Sequence, residues 1–233
     1  MPYVKKKKLA IFDIDGTIFR GCLQIELMKT LVYHKIFPKA AEKMVNKEYF
    51  AWVERRGTYQ AYIEKVMKVF NQMIRGCKHK DIKRLSQRVA NYFKDRKYVF
   101  TRDLIKKLKK EKYFLVAISG SPAEIVEEFN KHLKFDLAFG SIYEIDPRQK
   151  IYTGRVLESR LRNKDAVFDK FLDKTKITLR GSIGVGDTEN DVGFLKLVER
   201  PIAFNPNANL AKIAKKNGWR IVVERKDVIY KIR

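Results

Sequence analysis

Cysteine is scarce in this 233-residue chain, which has only Cys22 and Cys77. The two lie far apart and form none of the paired spacings of a zinc site. They read as reduced thiols of a cytoplasmic protein, with a disulfide between them as the alternative. No apolar run approaches the roughly 18 residues of a membrane span. The opening MPYVKKKK is followed by only a short apolar run before Asp13, which is not the pattern of a secretory signal. Internal repeats, low-complexity linkers and nucleic-acid-binding motifs are all missing. Acidic residues are outnumbered, 27 Asp and Glu against 51 Lys and Arg, for a formal net charge of +24. Such a surface attracts anions, and contact with nucleic acid or an acidic membrane is one reading of it. Without a motif to accompany the charge, a solvated lysine-rich surface is the preferred reading. With 45% apolar and 33% charged residues, the chain has the composition of a folded domain with a core.

The apolar pattern divides the chain in two. Leu9 to Phe12 form a short continuous apolar run, the mark of a strand buried on both faces. From Thr17 the period turns helical for about 80 residues. Ile25, Met28, Leu31 and Val32 mark one helix, and Ala41 to Trp52 continue the period to Gly57. Thr58 is the expected N-cap of a helix carrying Tyr62, Val66 and Phe70, and Ile82, Leu85 and Val89 mark a fourth. This reads as a helical module with its own small core. An α/β rhythm follows, with Thr101 expected to cap a basic helix and Tyr113 to Ile118 forming a second buried strand. Ser121, Pro122 and Glu124 have the spacing of a capping box opening the next helix. Phe135 to Phe139 suggest a further strand, and Ile142 to Val156 a small β excursion. Asn163 is the expected cap of a helix containing Lys164, Val167 and Phe168. Gly181 to Gly186, Ile202 to Phe204 and Arg220 to Val223 complete the strands. The expected fold class is α/β, a parallel sheet interrupted early by a helical insertion.

Three of these strands end in polar residues: Asp13 and Asp15, Ser119 and Gly120, and Asp187 to Asp191. In an open parallel sheet the carboxyl ends of the strands line one edge, where ligands bind. Each feature has an ordinary reading. Asp-Ile-Asp-Gly suits a surface turn, Ser119 a helix entry, and Lys164 is one of 51 basic residues. Together they fit one chemistry. Clustered carboxylates without histidine or cysteine suit a hard cation such as Mg2+. A hydroxyl, N–H groups at a helix entry and a lysine suit a phosphoryl group. A carboxylate can also attack phosphorus and form an aspartyl phosphate.

The stretches Ile-Phe-Asp-Ile-Asp-Gly-Thr (11–17), Ala-Ile-Ser-Gly-Ser (117–121), Lys164 at a helix start and Gly-Asp-Thr-Glu-Asn-Asp (186–191) come in a fixed order. That order resembles the four motifs of the haloacid dehalogenase (HAD) superfamily of phosphatases, in the branch containing phosphoserine phosphatase (subfamily IB). The resemblance implies a Rossmann-like core formed by residues 1–19 and 99–233. It also implies a helical cap, residues 20–98, inserted after the first strand. By the same resemblance Asp13 is the nucleophile and a Mg2+ ligand. Asp15 binds Mg2+ through its carbonyl and serves as general acid and base. Ser119, Gly120, Lys164 and Asn190 hold the phosphate, Asp187 is the third metal ligand, and Asp191 orients Lys164 or metal-bound water.

Phosphoserine-specific members place a glutamate shortly after the first motif to meet the substrate amine. Here that neighbourhood is Phe-Arg-Gly-Cys-Leu (19–23), with Glu26 the nearest acid, which counts against phosphoserine. Arg20, Arg55 and Arg56 are candidates for an anionic leaving group, each with solvated surface as the plainer reading. The expected activity is Mg2+-dependent hydrolysis of a small phosphorylated metabolite. The alternatives are a phosphatase or phosphotransferase acting on a polyanion, such as nucleic-acid ends or phospholipid headgroups, or a silent basic binding protein.

Overall fold

The computed structural model describes residues 6–160, 164 and 177–232. The expected helix around Lys164 lies outside these residues, apart from Lys164 itself. The chain opens with β1 (Lys7–Asp13), then a run of helices: α1 (Leu23–Tyr33), α2 (Ala40–Lys43), α3 (Asn46–Val53), α4 (Tyr59–Met73), α5 (His79–Phe93) and α6 (Val99–Lys110). The α/β part continues with β2 (Phe114–Pro122), α7 (Ala123–Leu133), β3 (Leu137–Ile145), β4 (Tyr152–Glu158) and β5 (Ile177–Gly186). A 3-10 turn over Glu189–Asp191 leads to α8 (Val192–Leu197), β6 (Arg200–Phe204), α9 (Ala208–Lys216), β7 (Arg220–Arg225) and β8 (Val228–Ile232). Among the described residues no helix is long and apolar enough to cross a membrane.

The strands form one eight-stranded sheet in the order β4-β3-β2-β1-β5-β6-β7-β8. The six inner strands run parallel, and β4 and β8 close the edges antiparallel. β1 therefore sits centrally, paired with β2 on one side and β5 on the other, and the sequence order reverses around it. Alternation along β1 builds a core on each face. Ala10 and Phe12 join one apolar cluster, and Leu9 and Ile11 join another with Phe194, Leu195 and Leu210. Burial on both faces is why this strand reads as an unbroken apolar run.

The helical insertion has no separate core. Leu27, Leu31, Phe70, Leu85 and Val89 belong to the same cluster as Phe12 and Phe129 of the sheet layer. Phe19 makes edge-to-face contacts with Phe93 of α5 and Phe129 of α7, at centroid distances of 5.9 and 5.6 Å. The insertion's helical periodicity is as expected, but its apolar faces are completed by α7.

Of the three expected helix caps that fall on described residues, two are not formed. Thr58 does cap α4, its Oγ1 accepting from Ala61 N at 3.1 Å. Thr101, however, lies inside α6 and donates from Oγ1 to the Thr17 carbonyl at 2.9 Å. The N-terminus of α6 is instead capped by Glu224 of β7, which accepts from Val99 N at 3.0 Å and Phe100 N at 2.8 Å. The expected capping box at α7 is also absent. Ser121 lies within β2, and Glu124 accepts from the Tyr152 hydroxyl at 2.6 Å. β8 is the strand that the sequence reading stops short of. It is exposed along its length, with Val228, Ile229 and Tyr230 following one another, so it lacks the buried run by which β1 was read.

Candidate active site

The turn after β1 is built on Gly16. Its N–H donates to the carbonyls of Phe19 (3.0 Å) and Gly21 (2.9 Å), and its φ is +83°. A Cβ at this position would also overlap the Asp187 carboxylate. Gly16 thus serves both the turn and the approach of β5's end to β1's end.

That approach gathers the acids. Asp13, Asp187 and Asp191 are buried and place carboxylate oxygens within 4.8 Å of one another. Lys164 Nζ lies between two of them, ion-paired to Asp13 Oδ1 and to Asp191 Oδ1, the latter at 2.6 Å. Asp191 Oδ2 accepts from the backbone N–H groups of Asp187 (2.9 Å) and Thr188 (3.0 Å). Its position is therefore locked from both sides. Asp13 Oδ2 is buried and has no hydrogen-bond partner.

The electrostatics follow from burial. Desolvation pushes the Asp13 carboxyl up to about 8; Lys164 opposes this, and Asp191 and Asp15 add to it. Burial also holds Asp187 well above the usual carboxylate range, reinforced by Asp13 and Asp191. Burial alone would lower Lys164, but Asp13 and Asp191 outweigh it and hold the ammonium above the ordinary lysine range. With all three acids ionised, one lysine would leave the buried cluster net negative, a charge that a bound cation would balance. An all-oxygen donor set with one free carboxylate oxygen fits a hard divalent cation.

Asp15 faces another way. Its Oδ1 accepts from Leu23 N at 2.6 Å, and its Oδ2 accepts from the hydroxyls of Ser119 (2.5 Å) and Ser121 (2.9 Å). Ser121 Oγ in turn accepts from Gln24 N at 3.0 Å. The two residues that open α1 are thereby tied to the end of β2. Burial raises the Asp15 carboxyl, with the Ser119, Leu23 and Ser121 hydrogen bonds opposing it.

A narrow cavity opens beside Asp13. Gly120, Ser121, Thr188 and Asn190 line it from the strand ends. Cys22, Gln24, Tyr59, Gln60, Ile63 and Met67 line it from the insertion. Asn190 Nδ2 donates to Gln60 Oε1 at 3.2 Å, a hydrogen bond that crosses from one part to the other. Of the arginines singled out in the sequence, Arg20 and Arg55 line a neighbouring open groove instead. Arg56 pairs with Glu54 on the surface. The insertion residues of the cavity were not legible as site residues. Tyr59, Ile63 and Met67 share the helical stripe of a core face, and Gln24 carries no sequence signal at all.

The family model of haloacid dehalogenase-like hydrolases matches residues 10–196. The phosphoserine phosphatase SerB1 of Mycobacterium tuberculosis is 29% identical over 107 residues, which is 45% of this chain and 34% of that protein. The matched region thus spans about a third of the length of its mycobacterial relatives. The phosphoserine phosphatase of Methanocaldococcus jannaschii is 24% identical over 226 residues, 96% of this chain and 95% of that one. Among solved structures, a protein of unknown function from Bordetella pertussis superposes with a TM-score of 0.73 at 19% identity, covering 93% of this chain and 98% of that one. A phospho-aspartyl intermediate analogue of phosphoserine phosphatase superposes with a TM-score of 0.62 at 22% identity, covering 96% of both chains. At these identities the superpositions establish the fold.

Proposed function

The chain belongs to the haloacid dehalogenase-like hydrolase family, and we propose that it is a Mg2+-dependent phosphatase of small phosphate monoesters, acting through a phosphorylated Asp13. The observation that carries this reading is the Asp13 carboxylate. It is buried at the mouth of the central strand, fixed through Oδ1 by Lys164, and has Oδ2 without a partner beside a partly open cavity.

In the first step an Asp13 oxygen attacks phosphorus, and the bond from phosphorus to the leaving oxygen breaks. Asp15 gives that oxygen its proton; a carboxyl raised by burial is suited to hold one. In the second step Asp15 takes a proton from water as the water oxygen attacks phosphorus and releases Asp13. Ser119 Oγ, the Gly120 N–H and Asn190 would hold phosphate oxygens, with Ser119 turning from Asp15 to do so. Lys164 offsets charge on Asp13 and on the incoming phosphate, and Asp191 keeps Lys164 in place. Asp13, Asp187 and the Asp15 carbonyl would hold Mg2+, which supplies screening of the repulsion between carboxylate and phosphate.

Residues 20–98 would act as a cap over a core formed by 1–19 and 99–233. Tyr59, Gln60, Ile63 and Met67 of α4 supply one wall of the cavity. Closure by this segment would exclude water from the first step. The test is phosphate release from p-nitrophenyl phosphate in Mg2+ and in EDTA, with Asp13→Asn alongside. We expect Mg2+-dependent release that falls by more than about 10³-fold in the variant, as loss of a nucleophile does. Equal rates for wild type and variant would overturn the proposal.

A further inference from the structure

Asp15 is held by three hydrogen bonds, and phosphate binding as proposed above breaks one of them. Its Oδ1 accepts from Leu23 N at 2.6 Å, and its Oδ2 accepts from Ser119 Oγ at 2.5 Å and Ser121 Oγ at 2.9 Å. Ser119 has a second task, because its hydroxyl also serves a phosphate oxygen. A hydroxyl has one proton to give. Once Ser119 gives it to the phosphate, Asp15 keeps one donor on each oxygen. These are Leu23 N on Oδ1 and Ser121 Oγ on Oδ2.

The direction of the Ser121 bond is fixed by its other partner. Gln24 N lies 3.0 Å from Ser121 Oγ, and a backbone N–H can only donate. Ser121 therefore accepts there, and its own proton is left for Asp15. The side chain also has little freedom. Ser121 is 1% exposed at the end of β2, and Pro122 after it confines its backbone to the extended region. Leu23 and Gln24 are the first two residues of α1. Both remaining holds on Asp15 thus lead to one helix entry, Leu23 directly and Gln24 through Ser121.

We infer, resting on the phosphatase reading above, that Ser121 is a positioning residue that keeps the Asp15 carboxyl in place once Ser119 has turned to the phosphate. The side of Oδ2 that Ser119 vacates is then where the transferable proton sits. In the first step this proton passes from Asp15 Oδ2 to the leaving oxygen as the bond from that oxygen to phosphorus breaks. In the second step Oδ2 takes a proton from the attacking water as the bond from phosphorus to Asp13 breaks. Ser121 remains hydrogen-bonded through both. Without it the carboxyl would hang on Leu23 N alone, and a proton donor that leaves its line loses much of its effect.

The experiment uses two substrates that differ in their need for that proton. p-Nitrophenolate is a far weaker base than phenolate, so it departs with less help from an acid. The readout is the ratio of kcat/KM for p-nitrophenyl phosphate to that for phenyl phosphate, both in Mg2+. A general loss of folded protein cancels from this ratio. Asp15→Asn removes the proton donor outright and should raise the ratio about 100-fold or more, the scale of general acid catalysis. Ser121→Ala should raise it about tenfold, as a misplaced but present donor does. Ser121→Cys keeps the shape of the side chain and offers only a weak donor. It carries the same expectation, and it decides the matter if the alanine variant does not fold. A raised ratio in Asp15→Asn with an unchanged one in the folded Ser121 variants overturns the inference and leaves the phosphatase reading intact. An unchanged ratio in Asp15→Asn overturns the proton-donor role of Asp15 and the inference with it. Inertness of the wild type toward both compounds overturns the phosphatase reading as well.

Discussion

Asp13 carries a cost that the fold imposes. Its carboxyl lies at about 8 because burial opposes the ionised form more strongly than Lys164 favours it. The unfolded chain would bind the same proton only below about 4. A folded-state value above the unfolded one means that the native protein holds more protons between those limits. The stability from this group is therefore fully present below about pH 4 and is lost as pH rises toward 8. A divalent cation needs the ionised carboxylate, so it competes with the proton. Thermal midpoints measured with Mg2+ and with EDTA should differ little at pH 5.5, and the gap should widen steadily up to pH 8.5. A gap that narrows with pH would contradict this placement of charge. The same residue was readable in the sequence as a strand-end acid, but its protonation was not. Desolvation depends on what packs around it, and the cluster draws on positions 13, 187 and 191.

At the scale of the element, the turn after β1 separates two kinds of glycine requirement. Gly16 and Gly76 have nearly the same φ, +83° and +80°. A Cβ at Gly76 would meet nothing within 4 Å, whereas at Gly16 it would overlap the Asp187 carboxylate. Gly76→Ala should therefore cost only backbone strain, about 1–2 kcal/mol, with phosphate release retained. Gly16→Ala should pay the same strain and also displace Asp187, reducing phosphate release by about 100-fold or more, as misplacement in a catalytic site does. Urea denaturation and phosphate-release assays on both variants test this. Equal activity in the two would show that the Asp187 position is not critical. Helix ends teach a related lesson. Thr58 was legible as a cap because its partner, Ala61, is local. Ser121 had the same local signal, yet its hydroxyl goes to Asp15 and its oxygen accepts from Gln24, both far away in sequence.

For the molecule as a whole, the +24 charge sets the field in which an anionic substrate arrives. Clefts in a basic surface concentrate anions, and added salt screens that attraction over roughly 8–10 Å. Raising NaCl from about 20 to about 300 mM should lower kcat/KM for a dianionic phosphate several-fold through KM, with kcat little changed. A flat salt profile would mean that the charge is spread too evenly to act on the site. The arrangement of the sheet explains why the site lies where it does. With β1 between β2 and β5, the ends carrying Asp13, Ser119 and Asp187 are neighbours by construction.

The sequence by itself determined the α/β class, the early helical insertion, the acidic and hydroxyl positions at the strand ends and Lys164 as their basic partner. Each of these is written in local periodicity or in a short run of residues. Only the tertiary structure decided that the insertion shares one core with the sheet layer, that Glu224 caps α6, and that Lys164 bridges Asp13 and Asp191. It alone placed Gln24 in the cavity wall. These are contacts between residues distant along the chain, and which partner a buried polar group finds depends on packing, not on its neighbours in sequence.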